Sequence, residues 1–275
     1  MMYTPELEKA VKHIKSHPVF NSKVAIILGS GLGSFADTLN NSVKISTDTI
    51  PNYPSSTVKG HKGQLIFGYL RTNPLIAVQG RTHFYEGYAL DQVTFIIRIL
   101  YALDVEVLII TNAAGGLNPI FNPGDLMLIK DQINFLFNTP LRGLSSPEVS
   151  QRQDMSDPYS SKYFSLVEKI ALEKNVELKS GILFVSSGPS YETSSEVKMA
   201  QKLGADAASM STVPEVIVAN RCGLDVIGIS CITNMATGIN KQPLSHEDVT
   251  LTANLVKNKF LDLTTGIIEQ IYQSR

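Results

Sequence analysis

Very little in this sequence would tie it to a metal, a membrane or a nucleic acid. Its 275 residues include two cysteines, Cys222 and Cys231, with no CxxC pair and no compact Cys/His cluster of zinc spacing. Both sit in apolar surroundings, so they read as reduced core thiols suited to a reducing compartment. An excess of either charge is also lacking. With 24 Lys and Arg against 25 Asp and Glu, the net charge is −1, which disfavours a broad basic face for nucleic acid and favours a small-molecule partner. No apolar run approaches the ~20 residues that span a bilayer, and the N-terminus is polar. The chain is therefore expected to be soluble, unsecreted and cytoplasmic. Repeats, linkers and low-complexity tracts are missing as well.

The composition that remains, 43% hydrophobic and 18% charged, is that of an ordinary globular protein. Short apolar runs alternate with amphipathic stretches, the pattern of one α/β domain over residues 1–275. Strands are expected at 24–28, 64–68, 75–79, 105–110, 125–133, 181–185 and 226–232, with Asn73-Pro74 turning between the second and third. Helices are expected from Pro5, capped by Thr4, then at 90–103, up to Lys174, at 194–203, and towards the C-terminus with Ser245 as its cap. Pro140 to Pro158 reads as a long loop.

Several strands stop at small-residue loops that carry polar groups, which is where open α/β sheets place their sites. Gly29-Ser30-Gly31-Leu32-Gly33 can bring backbone N–H groups and the Ser30 hydroxyl to an anion. It is not a P-loop, since no Gly-Lys-Ser/Thr follows. A dinucleotide fingerprint fails at Ser34. Arg81 and His83 suit an oxyanion, or else form a surface ion pair with Glu86. His61 lies in a glycine-flanked turn. Asn112-Ala113-Ala114-Gly115-Gly116 reads as a strand-end turn that can lay backbone amides beside a ligand, or as a tight structural turn. Tyr191 can stack on a heterocycle beside Glu192, which either accepts ring N–H protons or compensates a helix dipole. Met210 to Glu215 reads as a polar turn. Asn234 closes a strand as a neutral donor and acceptor.

Taken together, these segments resemble the trimeric purine nucleoside phosphorylase family, which also includes methylthioadenosine phosphorylases. The matching text is GSGLG at 29–33, GHKGQLIFG at 60–68, QGRTHFYEGY at 79–88, TNAAGGLNP at 111–119 and GPSYET at 188–193. It continues with MSTVPEVIVA at 210–219, ITN at 232–234 and LSHEDV at 244–249. The resemblance implies a central mixed twisted β-sheet flanked by helices and a homotrimer. The implied reaction splits 6-oxopurine nucleosides with inorganic phosphate as co-substrate and with no metal or organic cofactor.

The resemblance also assigns roles. Phosphate would be held by Ser30, His61, Arg81, His83, Asn112, Ala113 and Ser211. The nucleoside would meet Tyr85, Met210 and His246 at the sugar, and Ala113, Ala114, Gly115, Tyr191, Glu192 and Asn234 at the base. Asn234, Glu192 and His83 would be the catalytic residues. The methylthioadenosine branch has aspartate in place of Asn234 and a small apolar residue in place of His246, so the 6-oxopurine branch is favoured. Methylthioadenosine or xanthosine preference, and a purine-binding protein without turnover, stand as alternatives. Two departures are visible. The phenylalanine that relatives carry in an Arg-Phe-Pro run, where it reaches a neighbouring subunit's sugar site, is missing from Arg152-Gln153-Asp154. Ala207-Ala208-Ser209 replaces a common Ala-Val-Gly.

Overall fold

A computed structural model describes residues 4–57, 62–143, 153–239, 251–253 and 255–275. Nine strands form one sheet among them: β1 (Val24–Leu28), β2 (Asn40–Ser46), β3 (Gln64–Leu70), β4 (Asn73–Gln79), β5 (Val107–Gly116), β6 (Leu126–Asn134), β7 (Leu178–Val185), β8 (Ala207–Ser209) and β9 (Asp225–Met235). Their order is β2-β3-β4-β1-β5-β8-β7-β6-β9, and β9 also pairs with β5, so the last five close into a ring. Closure removes the exposed edges that an open sheet would leave there. β1 runs parallel to β4 and β5, and β5 parallel to β9, while β2–β3, β3–β4, β5–β8 and β6–β9 are antiparallel. The sheet is thus mixed, and helices cover both faces.

Strand periodicity explains why both faces are covered. Ala25 and Ile27 of β1, Leu108 and Ile110 of β5, and Ile76 and Val78 of β4 join one core with Leu7, Ala10 and Ile14 of α1 (Pro5–Lys15). That core also takes in α3 (Phe95–Ala102) and α6 (Val213–Cys222). The intervening residues, Val24, Ile26 and Leu28 with Val107 and Ile109, pack against Val167 and Ile170 of α4 (Phe164–Glu173) and Phe260, Leu263 and Ile267 of α7 (Lys257–Gln273). Strands buried on both sides read as continuous apolar runs, which is how β1 and β5 look in the sequence. The Thr4 hydroxyl caps α1 by accepting from Leu7 N–H at 3.3 Å. A cap of this kind contributes about 1 kcal/mol and each buried Leu or Ile about 1.5–3 kcal/mol. Packing therefore holds the helix, and the cap sets where it begins.

Four sequence expectations change. The β3–β4 turn falls at Arg71-Thr72, with Arg71 at φ 56°, and Pro74 lies inside β4 opposite Tyr69. Proline is tolerated there because pairing with β1 begins only at Ile76. The expected helix 90–103 is broken at Thr94 into α2 (Leu90–Val93) and α3, where the Thr94 hydroxyl donates back to Leu90 O at 2.7 Å. The Asn112–Gly116 stretch is not a turn but the second half of β5, hydrogen-bonded to β9 and then β8. Thr233 and Asn234 likewise continue β9. Strands β2 and β8 had no counterpart in the sequence reading. Ser245 lies outside the described residues.

Candidate active site

The C-terminal ends of β1, β4, β5 and β9 converge on a cavity of about 390 Å³. It is lined by Ser30, Arg81, His83, Tyr85, Asn112, Ala113, Ala114, Gly115, Tyr191, Glu192, Met210, Ser211 and Asn234. Every described residue assigned to phosphate or nucleoside thus lines one space. His61 and His246 lie outside the described residues, as does Arg152.

At one end the loop after β1 folds tightly onto β5. Gly29 N–H donates to the Thr111 hydroxyl at 3.0 Å, which itself donates to Ile27 O at 2.9 Å. A Cβ on Gly29 would come within 2.6 Å of Asn112 Cα, so only glycine lets Ser30 approach the strand this closely. Arg81 emerges from β4 almost wholly buried. Its Nη1 donates to Ser211 Oγ at 2.9 Å and Thr212 Oγ1 at 3.0 Å, and its Nη2 donates to Thr111 O at 2.6 Å. Its counter-charge is Glu215 at 3.3 Å, with side-chain exposures of 3% and 2%. Burial raises the Glu215 carboxyl above its ordinary value, opposed by Arg81 and the Thr212 N–H.

The alternative reading, a surface ion pair with Glu86, gives way to an inward contact between Glu86 and His83. Glu86 accepts from His83 N–H at 2.6 Å and meets His83 Nδ1 at 3.2 Å, while Thr57 N–H and hydroxyl also donate to it. Burial alone would raise the Glu86 carboxyl, but these hydrogen bonds outweigh it and hold the group below its ordinary value. An ionised Glu86 favours a proton on His83 Nδ1. The His83 ring stacks on Tyr85 at 4.8 Å. Burial, with Glu86 and Tyr191 nearby, pushes the Tyr85 hydroxyl up to about 12, so it remains a neutral donor.

At the other end stand Glu192 and Asn234. The dipole-compensation reading of Glu192 loses ground, because α5 (Ser194–Lys202) has its own capping box. Thr193 accepts from Glu196 N–H, and Glu196 accepts from Thr193 N–H at 2.7 Å. Glu192 instead takes a 2.7 Å hydrogen bond from the Ser186 hydroxyl at the cavity wall. A register shift on β9 pairs Ala114 with Ile232 and Gly115 with Asn234, so Thr233 is an extra residue. Such bulges re-aim side chains beside active sites. Thr233 donates to Asn234 Oδ1 at 2.9 Å, and a Cβ on Gly115 would come within 3.3 Å of Asn234 Nδ2. The glycine leaves that amide room. Gly188, at φ 63°, lets its loop press on Met210 and Tyr85.

Sequence reading gave no role to Ser186, Thr212 or Glu215. Of the segment read as a polar turn, Met210 to Glu215, the residues from Val213 on belong to α6, and Thr212-x-x-Glu215 is its capping box, with Thr212 N–H donating to Glu215 at 3.0 Å. That Thr-x-x-Glu spacing was the available signal. Among the described residues no group of three or more His, Cys, Asp or Glu could hold a metal ion. No described helix is long and apolar enough to cross a membrane.

Comparison with known proteins bears on this geometry. The sequence profile of the phosphorylase superfamily matches residues 23–269. Purine nucleoside phosphorylase 1 of Bacillus subtilis (strain 168) is 49% identical over 96% of this chain and 98% of its own length. The purine nucleoside phosphorylase of Rattus norvegicus is 40% identical over 97% and 95%. A crystal structure of schistosoma purine nucleoside phosphorylase in complex with hypoxanthine superposes with a TM-score of 0.88 at 33% identity, covering 96% of each chain.

Proposed function

Because the chain belongs to the phosphorylase superfamily, we propose that its cavity performs the phosphorolysis of purine nucleosides, inosine and guanosine first among them, to free base and ribose 1-phosphate. The observation that carries this reading is the single cavity joining Arg81, His83 and Ser211 to Glu192 and Asn234. Inorganic phosphate occupies the first end, held by Ser30, Arg81, His83, Ser211 and the backbone at Asn112 and Ala113, with His61 beside it. The sugar lies between, against Tyr85, Met210 and His246. The purine occupies the second end, bounded by Ala114, Gly115, Tyr191, Glu192 and Asn234.

Chemistry follows from this arrangement. As the glycosidic bond lengthens, the sugar gains positive charge and the purine negative charge. The phosphate anion beneath the sugar stabilises the first and forms the new C–O bond. Holding it in place converts a bimolecular encounter into an oriented one. Asn234 donates towards the purine N7, and Glu192 accepts from N1–H, so charge is met where it develops. No step calls for a metal or organic cofactor. A 6-aminopurine has no proton at N1 and would set an acceptor against Glu192. An unpaired buried acceptor costs about 1–3 kcal/mol, or about 5- to 150-fold in kcat/KM. A cytoplasmic homotrimer is part of the same proposal. Its support is the resemblance to trimeric relatives, together with free cysteines, one buried and one half-buried. The test is a panel of inosine, guanosine, xanthosine, adenosine and methylthioadenosine assayed with and without phosphate. The 6-oxopurines should lead. Preference for methylthioadenosine, or base binding without turnover, would overturn the assignment.

A further inference from the structure

A strained stretch of backbone lies directly behind the cavity. Thr212 has φ 80° and ψ −55°, and Val213 N–H donates to Ser211 O at 3.0 Å across it. This is the rare, strained form of the three-residue γ-turn, on a β-branched residue for which positive φ is an outlier. Strain of this kind persists only where surrounding contacts over-determine it, and it clusters at functional sites.

The contacts that enforce it are specific. The Thr212 hydroxyl is buried and accepts twice, from Arg81 Nη1 at 3.0 Å and from Asn112 Nδ2 at 2.9 Å. Its N–H donates to Glu215, whose same oxygen pairs with Arg81. The turn thereby points the neighbouring Ser211 hydroxyl into the cavity, within 2.9 Å of the same Nη1. A relaxed backbone at residue 212 would swing Ser211 away from the arginine and withdraw the oxygen that fixes the guanidinium.

We propose that Thr212 is a positioning residue that sets Arg81 and Ser211 in the geometry that receives the phosphate oxyanion, through a γ-turn clamped by Asn112 and Glu215. This deepens the proposed function and rests on its reading of this end of the cavity as the phosphate site. Thr212 itself does not line the cavity. Its effect is therefore confined to phosphate, while the purine end, held by Ser186, Thr233 and Gly115, is untouched.

Two variants separate the hydroxyl from the turn. Thr212→Gly accepts the same φ without a side chain, so it keeps the turn and removes the oxygen. Thr212→Ser keeps the oxygen. KM for phosphate and for inosine are measured for both, each with the other substrate saturating, alongside the thermal midpoint. T212G is expected to raise the phosphate KM about ten-fold or more, the scale of losing a hydrogen bond to a charged group. Its inosine KM should stay within about two-fold of wild type, and T212S should restore the phosphate KM. If T212G does not fold, Thr212→Ala removes the oxygen while keeping a Cβ at the same φ. An unchanged phosphate KM in T212G or T212A overturns the proposal. So does a parallel rise in both KM values, which marks general loosening, or T212S behaving like T212G. A wild-type enzyme that shows no phosphate dependence refutes the phosphate site itself, which is a different failure.

Discussion

Replacing Asn234 with aspartate changes one functional atom and little else. In the native site Thr233 donates to Asn234 Oδ1 at 2.9 Å, and the amide nitrogen, beside Gly115, donates to Met235 O at 3.2 Å. Aspartate keeps an oxygen for Thr233 and nearly the same volume, and gives up the donor to Met235 O. The group facing the purine, however, turns from donor to acceptor. Loss of one donor aimed at developing charge costs about 3 kcal/mol, or about 100-fold in kcat/KM. Guanosine turnover should fall by that amount. Adenosine should fall less, because its 6-amino group gains an acceptor. A new hydrogen bond of about 1.4 kcal/mol narrows the guanosine-to-adenosine ratio about ten-fold. The assay is steady-state base release from both nucleosides at saturating phosphate, with thermal midpoints to verify that the variant is folded. A folded N234D enzyme with an unchanged ratio would show that Asn234 does not read the base.

Other expectations follow from neighbouring groups. Ser186→Ala removes the 2.7 Å hydrogen bond to Glu192 and should lower kcat/KM for inosine about 5-fold, from a loss of about 1 kcal/mol, leaving the phosphate KM unchanged. An equal change in both parameters would contradict this. Glu86 is held below its ordinary value of 4.5, so its stabilising contribution is present above that value and disappears as pH falls through the lower folded-state value. Glu86→Gln should therefore destabilise the protein near neutral pH, with the gap from wild type closing under acid. A gap that widens in acid urea titrations would refute the assignment. Burial pushes the thiols of Cys222 and Cys231 up to about 12, so neither should react readily with a disulfide reagent at pH 8 until the protein is unfolded. Rapid native-state modification would contradict these raised values.

Much of the site was legible because its residues follow apolar strands. β1 is apolar throughout and leads into Gly29, so strand and loop could both be read locally. Arg81 and His83 follow β4 in the same way. The second half of β5 was hidden because Asn112-Ala113-Ala114-Gly115-Gly116 has the small residues of a turn. Its extended state is set by pairing with β9 and β8, which are far away in sequence. β8 has only three residues and no pattern of its own. β2, largely exposed except at Ile45, lacks an apolar run. The clamp behind Arg81 was equally hidden. Thr212 and Glu215 look like a helix start, and their second task appears only when an arginine 131 residues from Thr212 arrives beside them. The bulge at Thr233, which aims Asn234, is a property of register and has no local signature.

The claim beneath all of this is that oxyanion and nucleoside react with each other inside one cavity. The most direct measurement is the stoichiometry of inosine cleavage, following hypoxanthine, inorganic phosphate and sugar product together. One phosphate should disappear for each hypoxanthine released, with ribose 1-phosphate as the sugar product and no cleavage when phosphate is withheld. Steady release of hypoxanthine and free ribose without phosphate would contradict the account.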